Sequence, residues 1–247
     1  MQTLPRALGL DFGTTNSVAA IADAGQSELV EFVGEQASGA VFRSALCFWH
    51  DSHVKGGMAH EAGPWAISEY LEFPEDSRFL QSFKSVAASP IFESASIFEK
   101  RYRFEELGQM FLGKMIGHAG GTLDKRPERI VVGRPVEYAG ARPDEALARQ
   151  RYDAMFAGFG SEIHYVYEPL GAAFSYASRL DSAATILVAD FGGGTSDFSL
   201  VRVEAPGAAR RCVPLGSAGI GLAGDRFDYR IMDQLVHAWD VLATMTP

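Results

Sequence analysis

Cysteine is nearly absent from this chain: Cys47 and Cys212 are two among 247 residues. They stand far apart in sequence, each among apolar neighbours, which argues against a disulfide framework or half of a metal site and predicts two buried thiols. Basic residues are scarce as well, with 22 Lys and Arg against 31 Asp and Glu and a net charge of -9. That balance speaks against nucleic acid as a partner and against an anionic membrane surface. No apolar run approaches membrane-spanning length, and Pro5 and Arg6 lead directly into the first apolar strand. No room is left there for a cleavable signal, so a cytoplasmic location is the default expectation. With 47% hydrophobic residues, the chain holds enough apolar material for one large or two modest cores.

What is present is a short pattern that occurs twice. Leu10-Asp11-Phe12-Gly13-Thr14-Thr15-Asn16-Ser17 and Ala189-Asp190-Phe191-Gly192-Gly193-Gly194-Thr195-Ser196-Asp197 each follow an apolar run and precede another strand-like stretch. Both therefore read as hairpin tips. Glycine permits positive φ in such a turn and brings backbone N–H groups close to an anion, while Thr14, Thr15 and Thr195 add hydroxyl donors. An aspartate ending the preceding strand would repel a phosphate unless a cation lay between them. Mg²⁺ held through water is the simplest candidate, with Asp11 and Asp190 on either side. The two copies are separated by far more than the ~20–50 residues of solenoid repeats. The duplication is therefore one of whole lobes, each presenting a hairpin to a shared cleft.

Along the chain, residues 6–32 read as three strands with a turn at Asp23-Ala24-Gly25-Gln26. Residues 34–121 read as an inserted subdomain beside the cleft, containing a helix from Phe104 to His118. Phe42, Phe48, Trp49, Trp65, Tyr70, Phe73 and Phe79 are expected to form the small core of that insertion. A strand at Arg129–Val132, a helix starting at Pro143 and Asp144, a strand at Ile163–Tyr167 and a helix opening at Glu168 complete a first lobe over residues 1–183. The second lobe, 184–247, begins with three strands, and Asp225 is expected to N-cap a helix reaching the neighbourhood of Ala243. Gly219-Ile220-Gly221-Leu222-Ala223-Gly224 matches a dinucleotide fingerprint, but no acidic ribose partner follows, so close packing at a turn is the better account. His50, His53 and His60 lack the spacing of a structural zinc site.

These residues resemble the actin-like ATPase superfamily and, within it, the DnaK-type heat-shock chaperones. The resemblance rests on five motifs in order: Gly9–Ser17, Val131-Val132-Gly133-Arg134-Pro135-Val136, Tyr167-Glu168-Pro169-Leu170-Gly171-Ala172-Ala173, the second loop, and Gly221–Asp228. It implies an α/β fold of duplicated ribonuclease-H-like lobes that binds ATP or ADP with Mg²⁺ and hydrolyses ATP slowly. By the same resemblance, Asp11 and Asp190 hold the hydrated metal, and Glu168 and Asp197 orient waters around it. Lys84 reaches the γ-phosphate and the attacking water, and Thr195 donates to the γ-phosphate. Gly13, Thr14, Thr15, Asn16, Gly192, Gly193 and Gly194 line the phosphates. Read without the resemblance, Lys84 is an ordinary solvated lysine. The wording Gly133-Arg134-Pro135 points to a divergent branch. A complete second lobe of this kind needs further strands and an adenosine-binding subdomain, so that lobe is expected to be incomplete here. A polypeptide client or co-chaperone is the partner implied for the full-length protein. A bacterial actin-like filament protein and a sugar or acetate kinase share the same loops and stand as alternatives.

Overall fold

Leu8, Leu10 and Phe12 alternate inward along the first strand, β1 (Ala7–Phe12), and all three are buried. This period of two places β1 at the centre of a half-covered sheet. The computed structural model describes residues 6–23, 26–34, 38–124, 127–159, 162–205 and 211–245, with side chains as far as 236. The expected turn through Ala24 and Gly25 and the lead-in through Pro5 lie outside the described residues.

From β1 the chain turns back as β2 (Asn16–Asp23), then runs through β3 (Gln26–Leu29), β4 (Phe32–Val33), β5 (Ser38–Gly39) and β6 (Val41–Arg43). A second small sheet follows, built from β7 (Ala45–His50), β8 (Met58–Ala62) and β9 (Ser77–Gln81), with α1 (Pro64–Glu72) between the last two strands. A 3-10 turn at Phe83–Val86, the hairpin β10 (Ala95–Ile97) and β11 (Lys100–Tyr102), and α2 (Phe104–His118) lead to β12 (Arg129–Arg134). Next come α3 (Glu145–Phe156), β13 (Glu162–Tyr167) and α4 (Glu168–Ala177). The chain then enters β14 (Ala184–Phe191), β15 (Ser196–Val203), β16 (Cys212–Ile220) and α5 (Gly224–Met245).

The first sheet has the order β13-β12-β1-β2-β3, with β6 also pairing with β2. β1 and β12 are parallel, as are β12 and β13, and β1 and β2 are antiparallel. Parallel neighbours need crossover connections, which α2 and α3 supply. Both helices press one apolar face on the sheet: Leu107, Phe111 and Met115 from α2 meet Tyr152, Met155 and Phe156 from α3 over Leu8, Leu10 and Phe12. Gly108 lies where the helices cross, and a Cβ there would strike the Met155 side chain. The start of α3 is fixed by Asp144, whose Oδ1 accepts from Leu147 N at 2.9 Å.

A further sheet is the meander β14-β15-β16, and α4 lies against all three of its strands. Pro169, Ala173 and Ala177 are the buried residues of α4 and fall on one stripe. Their small size lets the helix approach the sheet closely.

Three expectations are corrected. Phe42 and Trp65 join the large core under the first sheet and do not form a separate core, while Tyr70 and Phe73 are exposed. These rings sit where β6 pairs with β2 and where Trp65 stacks on His118 of α2, so the main core captures them. Cys47 is buried, but Cys212 is only partly covered because it starts the edge strand β16. Asp225 is not an N-cap: α5 already starts at Gly224, and the Asp225 carboxylate instead accepts from Thr15 and Ser82.

Candidate functional site

Both glycine-threonine tips are hairpin turns. β1 and β2 pair through Phe12 and Ser17, and β14 and β15 pair through Phe191 and Ser196. Gly13 is required locally, because a Cβ there would run into the backbone of Asn16. Ser44, immediately before β7, braces the first tip: its Oγ donates to Gly13 O at 2.7 Å and its N–H to Thr15 O at 2.9 Å. The second tip is closed by Gly192 N donating to Thr195 O at 2.9 Å. The first turn of α5 supports it, with Gly224 N and Asp225 N donating to the carbonyls of Gly192 and Gly193 at 3.1 and 2.9 Å.

The two tips face each other across a cavity of about 400 Å³. Asp11, Gly13, Thr14, Thr15, Asn16, Lys84, Glu168, Asp190, Gly192, Gly193, Gly194 and Thr195 all line it. The tips nearly touch: a Cβ on Gly193 would overlap the Thr15 side chain, and one on Gly194 would stand 2.7 Å from Thr14 Oγ1.

Asp197, expected beside the metal, does not line this cavity. It is buried behind the second tip, where its Oδ1 accepts from Val136 N at 2.9 Å and Glu137 N at 3.3 Å. It thereby ties β15 to the segment that follows β12. The glycines of the dinucleotide-like pattern belong to the same seam. A Cβ on Gly219 would meet Asp197 and Glu137, one on Gly221 would meet Ala139, and one on Gly224 would meet Gly192 O.

Lys84 is not a solvated lysine. It is 6% exposed, and its Nζ donates to Glu168 Oε1 at 2.5 Å. Three contacts fix it. Phe83 is buried against Phe12 and Phe111 at centroid distances of 5.6 and 5.8 Å. The Arg151 guanidinium, reaching out of α3, donates to the carbonyls of Val86, Ala87 and Ser89 at 2.9, 2.9 and 3.1 Å, and also to Phe92 O. Glu168, the first residue of α4, has room because Gly133 stands beside it: a Cβ there would be 3.0 Å from Glu168 Cγ.

The site gathers more negative charge than it neutralises. The Asp11 carboxyl is pushed up to about 6, first by burial among surrounding protein, then by Glu168 and Asp190, with Lys84 opposing. Asp11 opens onto the cleft, so burial here means protein crowding on its other sides. Asp190 is raised in the same direction, by burial and then by Glu168 and Asp197. A divalent cation in the cleft would relieve this strain on both groups. Among the described residues no three carboxylates, histidines or cysteines converge closely enough to grip an ion directly.

Sequence reasoning missed four groups here. Arg43 and Asp228 line the cavity, and Arg43 Nη1 donates to Asn16 Oδ1 at 3.3 Å. Ser82 and Arg151 act just outside it. No motif marks Arg43, Ser82 or Arg151, and Asp228, the last residue of the Gly221–Asp228 motif, carries no signal of its own role. Arg43 arrives through the β2–β6 register, which pairs it with Asn16.

The family pattern described as "Hsp70 protein" matches residues 80–242. The chain is 26% identical to a "Chaperone protein DnaK" of Deinococcus proteolyticus over 96% of its own length and 38% of that protein. It is 28% identical to a "Chaperone protein dnaK1" of Parasynechococcus marenigrum, over 95% of this chain and 36% of the relative. A DnaK of Mycoplasma mycoides subsp. mycoides is 27% identical over 93% of this chain and 35% of the relative. The chain therefore spans little more than a third of the curated relatives it matches. These matches favour a DnaK-like nucleotide-binding region over the filament and small-molecule kinase alternatives. They also assign the actin-like ATPase fold. No helix among the described residues is long and apolar enough to cross a membrane.

Proposed function

Since the chain belongs to the Hsp70 family, we propose that its cleft binds the phosphates of ATP or ADP together with Mg²⁺ and hydrolyses ATP slowly. The observation that carries this reading is the convergence of both glycine-threonine tips, Lys84, Glu168 and the aspartate pair on one cavity. In this reading the backbone N–H groups of residues 13–16 and 193–195, with the hydroxyls of Thr14 and Thr195, cradle the phosphate oxygens, while Thr15 gives its hydroxyl proton to Asp225. Asp11 and Asp190 hold the hydrated Mg²⁺, which supplies charge neutralisation on the phosphates when bound. Glu168 is a neighbour of both aspartates, and its pairing with Lys84 keeps the ammonium aimed into the cleft. From there Lys84 is placed to meet a terminal phosphate and to orient water for attack. Asp197 contributes by locking the second tip against Val136 and Glu137 and not by facing the ion.

The remaining assignments follow from the family. A cytoplasmic location, and a client polypeptide or co-chaperone for the whole protein, are what DnaK-like membership suggests. The test is calorimetric titration of the intact protein with ATP, with and without Mg²⁺. Binding that strengthens with Mg²⁺ and is lost in AMP supports the reading. Binding indifferent to Mg²⁺ and to phosphate number would remove it.

A further inference from the structure

Ser82 stands two residues before Lys84 in a left-handed conformation, φ 54°, which strains any residue that carries a Cβ. Glycine would hold this turn more cheaply, and what serine adds is a hydroxyl. That hydroxyl is used: Ser82 Oγ donates to Asp225 Oδ2 at 2.6 Å. The other oxygen of the same carboxylate, Asp225 Oδ1, accepts from Thr15 Oγ1 at 3.1 Å. Asp225 sits in the first turn of α5, and its own N–H donates to Gly193 O at 2.9 Å. One half-buried residue therefore joins the first tip and the segment that carries Lys84 through its carboxylate, and the second tip through its backbone N–H.

The link to Lys84 is short and stiff. Ser82 O accepts from Ser85 N at 3.0 Å and from Ser85 Oγ at 2.7 Å, so the turn that begins at Ser82 and presents Lys84 moves as one piece. Arg151 holds the far end of that piece on α3. Its near end is held by Asp225 of the second unit.

We propose that Asp225 is an inter-lobe clasp, a positioning residue that seats Lys84 by pulling the Ser82 turn and the first tip onto the start of α5. This rests on the reading of the cleft as an ATP site for its effect on turnover, but not for the clasp itself. When the second unit swings away, both hydroxyl contacts break and Lys84 loses its near anchor. Closure and catalytic readiness are thus one event.

Two measurements on the intact protein separate the parts. Without nucleotide, Asp225→Ala should speed hydrogen exchange at the amides of Ser85 and Ala87 about tenfold, the loss of one charge-assisted hydrogen bond, while β1 and β12 amides stay protected. Ser82→Gly, which keeps the turn accessible and removes the hydroxyl, should act in the same direction. Unchanged exchange in Asp225→Ala overturns the clasp. With bound ATP, Asp225→Ala should slow single turnover about tenfold and change affinity less than about threefold. In a Lys84→Ala background it should slow turnover no further, because both changes remove the same contribution. Additive slowing there overturns positioning through Lys84. A wild-type protein that neither binds nor hydrolyses ATP removes the functional reading, and the exchange measurement still decides the clasp.

Discussion

Lys84 Nζ and Glu168 Oε1 meet at 2.5 Å with both side chains nearly covered, 6% and 12% exposed, although they stand 84 positions apart in the chain. Ionised groups are covered in this way only when paired, and removing one partner leaves the other charge stranded. The pair therefore has a structural cost as well as a functional use. Lys84→Ala should lower unfolding stability by roughly 3 kcal/mol and slow the chemical step far more than it weakens ATP binding. Single-turnover and binding assays on the same preparation check this. Equal single-turnover rates would leave the pair a purely structural one.

The Arg151 guanidinium donates to carbonyls of Val86, Ala87, Ser89 and Phe92. Arg151→Lys keeps the charge but not the planar fork, and Arg151→Met loses both. Stability to urea should fall in the order wild type, lysine, methionine, by roughly 1.5–3 kcal/mol in the last. ATP turnover should follow the same order, since this segment carries Lys84. A methionine variant with unchanged turnover would separate the segment from the site.

How far the site could be read from residues alone depended on whether a local rule fixed each part. The tips were legible because glycine, threonine and a strand-ending aspartate have a local turn chemistry, and the helix at Phe104–His118 because its apolar period is regular. Arg43, Ser82 and Arg151 were not, because each reaches the site through register or across a helix, and a lone polar residue carries no such signal. Asp225 was placed correctly at a helix start but given a local role. Its real partners, Thr15 and Ser82, lie 210 and 143 positions away. For Asp197, likewise, nothing in its loop reveals the backbone N–H groups of Val136 and Glu137 that donate to it. The aromatic residues between Phe42 and Phe79 divide three ways: Phe42, Phe48 and Trp65 enter the main core, Trp49 and Phe79 pack on a small separate cluster around Ala45, Cys47 and Ala66, and Tyr70 and Phe73 are exposed.

Asp11 sets a pH dependence. Its carboxyl is raised from 3.8 to about 6, so the fold favours the protonated form. The stabilisation is complete below 3.8 and is lost as pH rises through 6. Ligand-free protein should therefore gain a larger stability advantage from Asp11→Asn at neutral pH than at about pH 4, seen as a flatter stability profile in the variant. Mg²⁺-dependent nucleotide affinity should fall as pH drops through 6 in the wild type. A variant whose profile parallels the wild type across that range would contradict the assignment.

Gly13 tolerates no side chain, because a Cβ would collide with Asn16 backbone. Gly13→Ala should distort the first tip and reduce ATP affinity by at least about tenfold, about 1.4 kcal/mol. Circular dichroism and the unfolding midpoint should stay close to the wild type. A matching loss of folded signal would point to a general loss of folding.

The paired tips and their aspartates stand or fall on Asp190→Asn, which removes one charge from the cleft while keeping shape and hydrogen-bonding capacity. ATP turnover by the intact variant in saturating Mg²⁺ is the quantity to measure, alongside its circular dichroism. The account predicts no detectable turnover from a protein folded like the wild type. Undiminished turnover would contradict it.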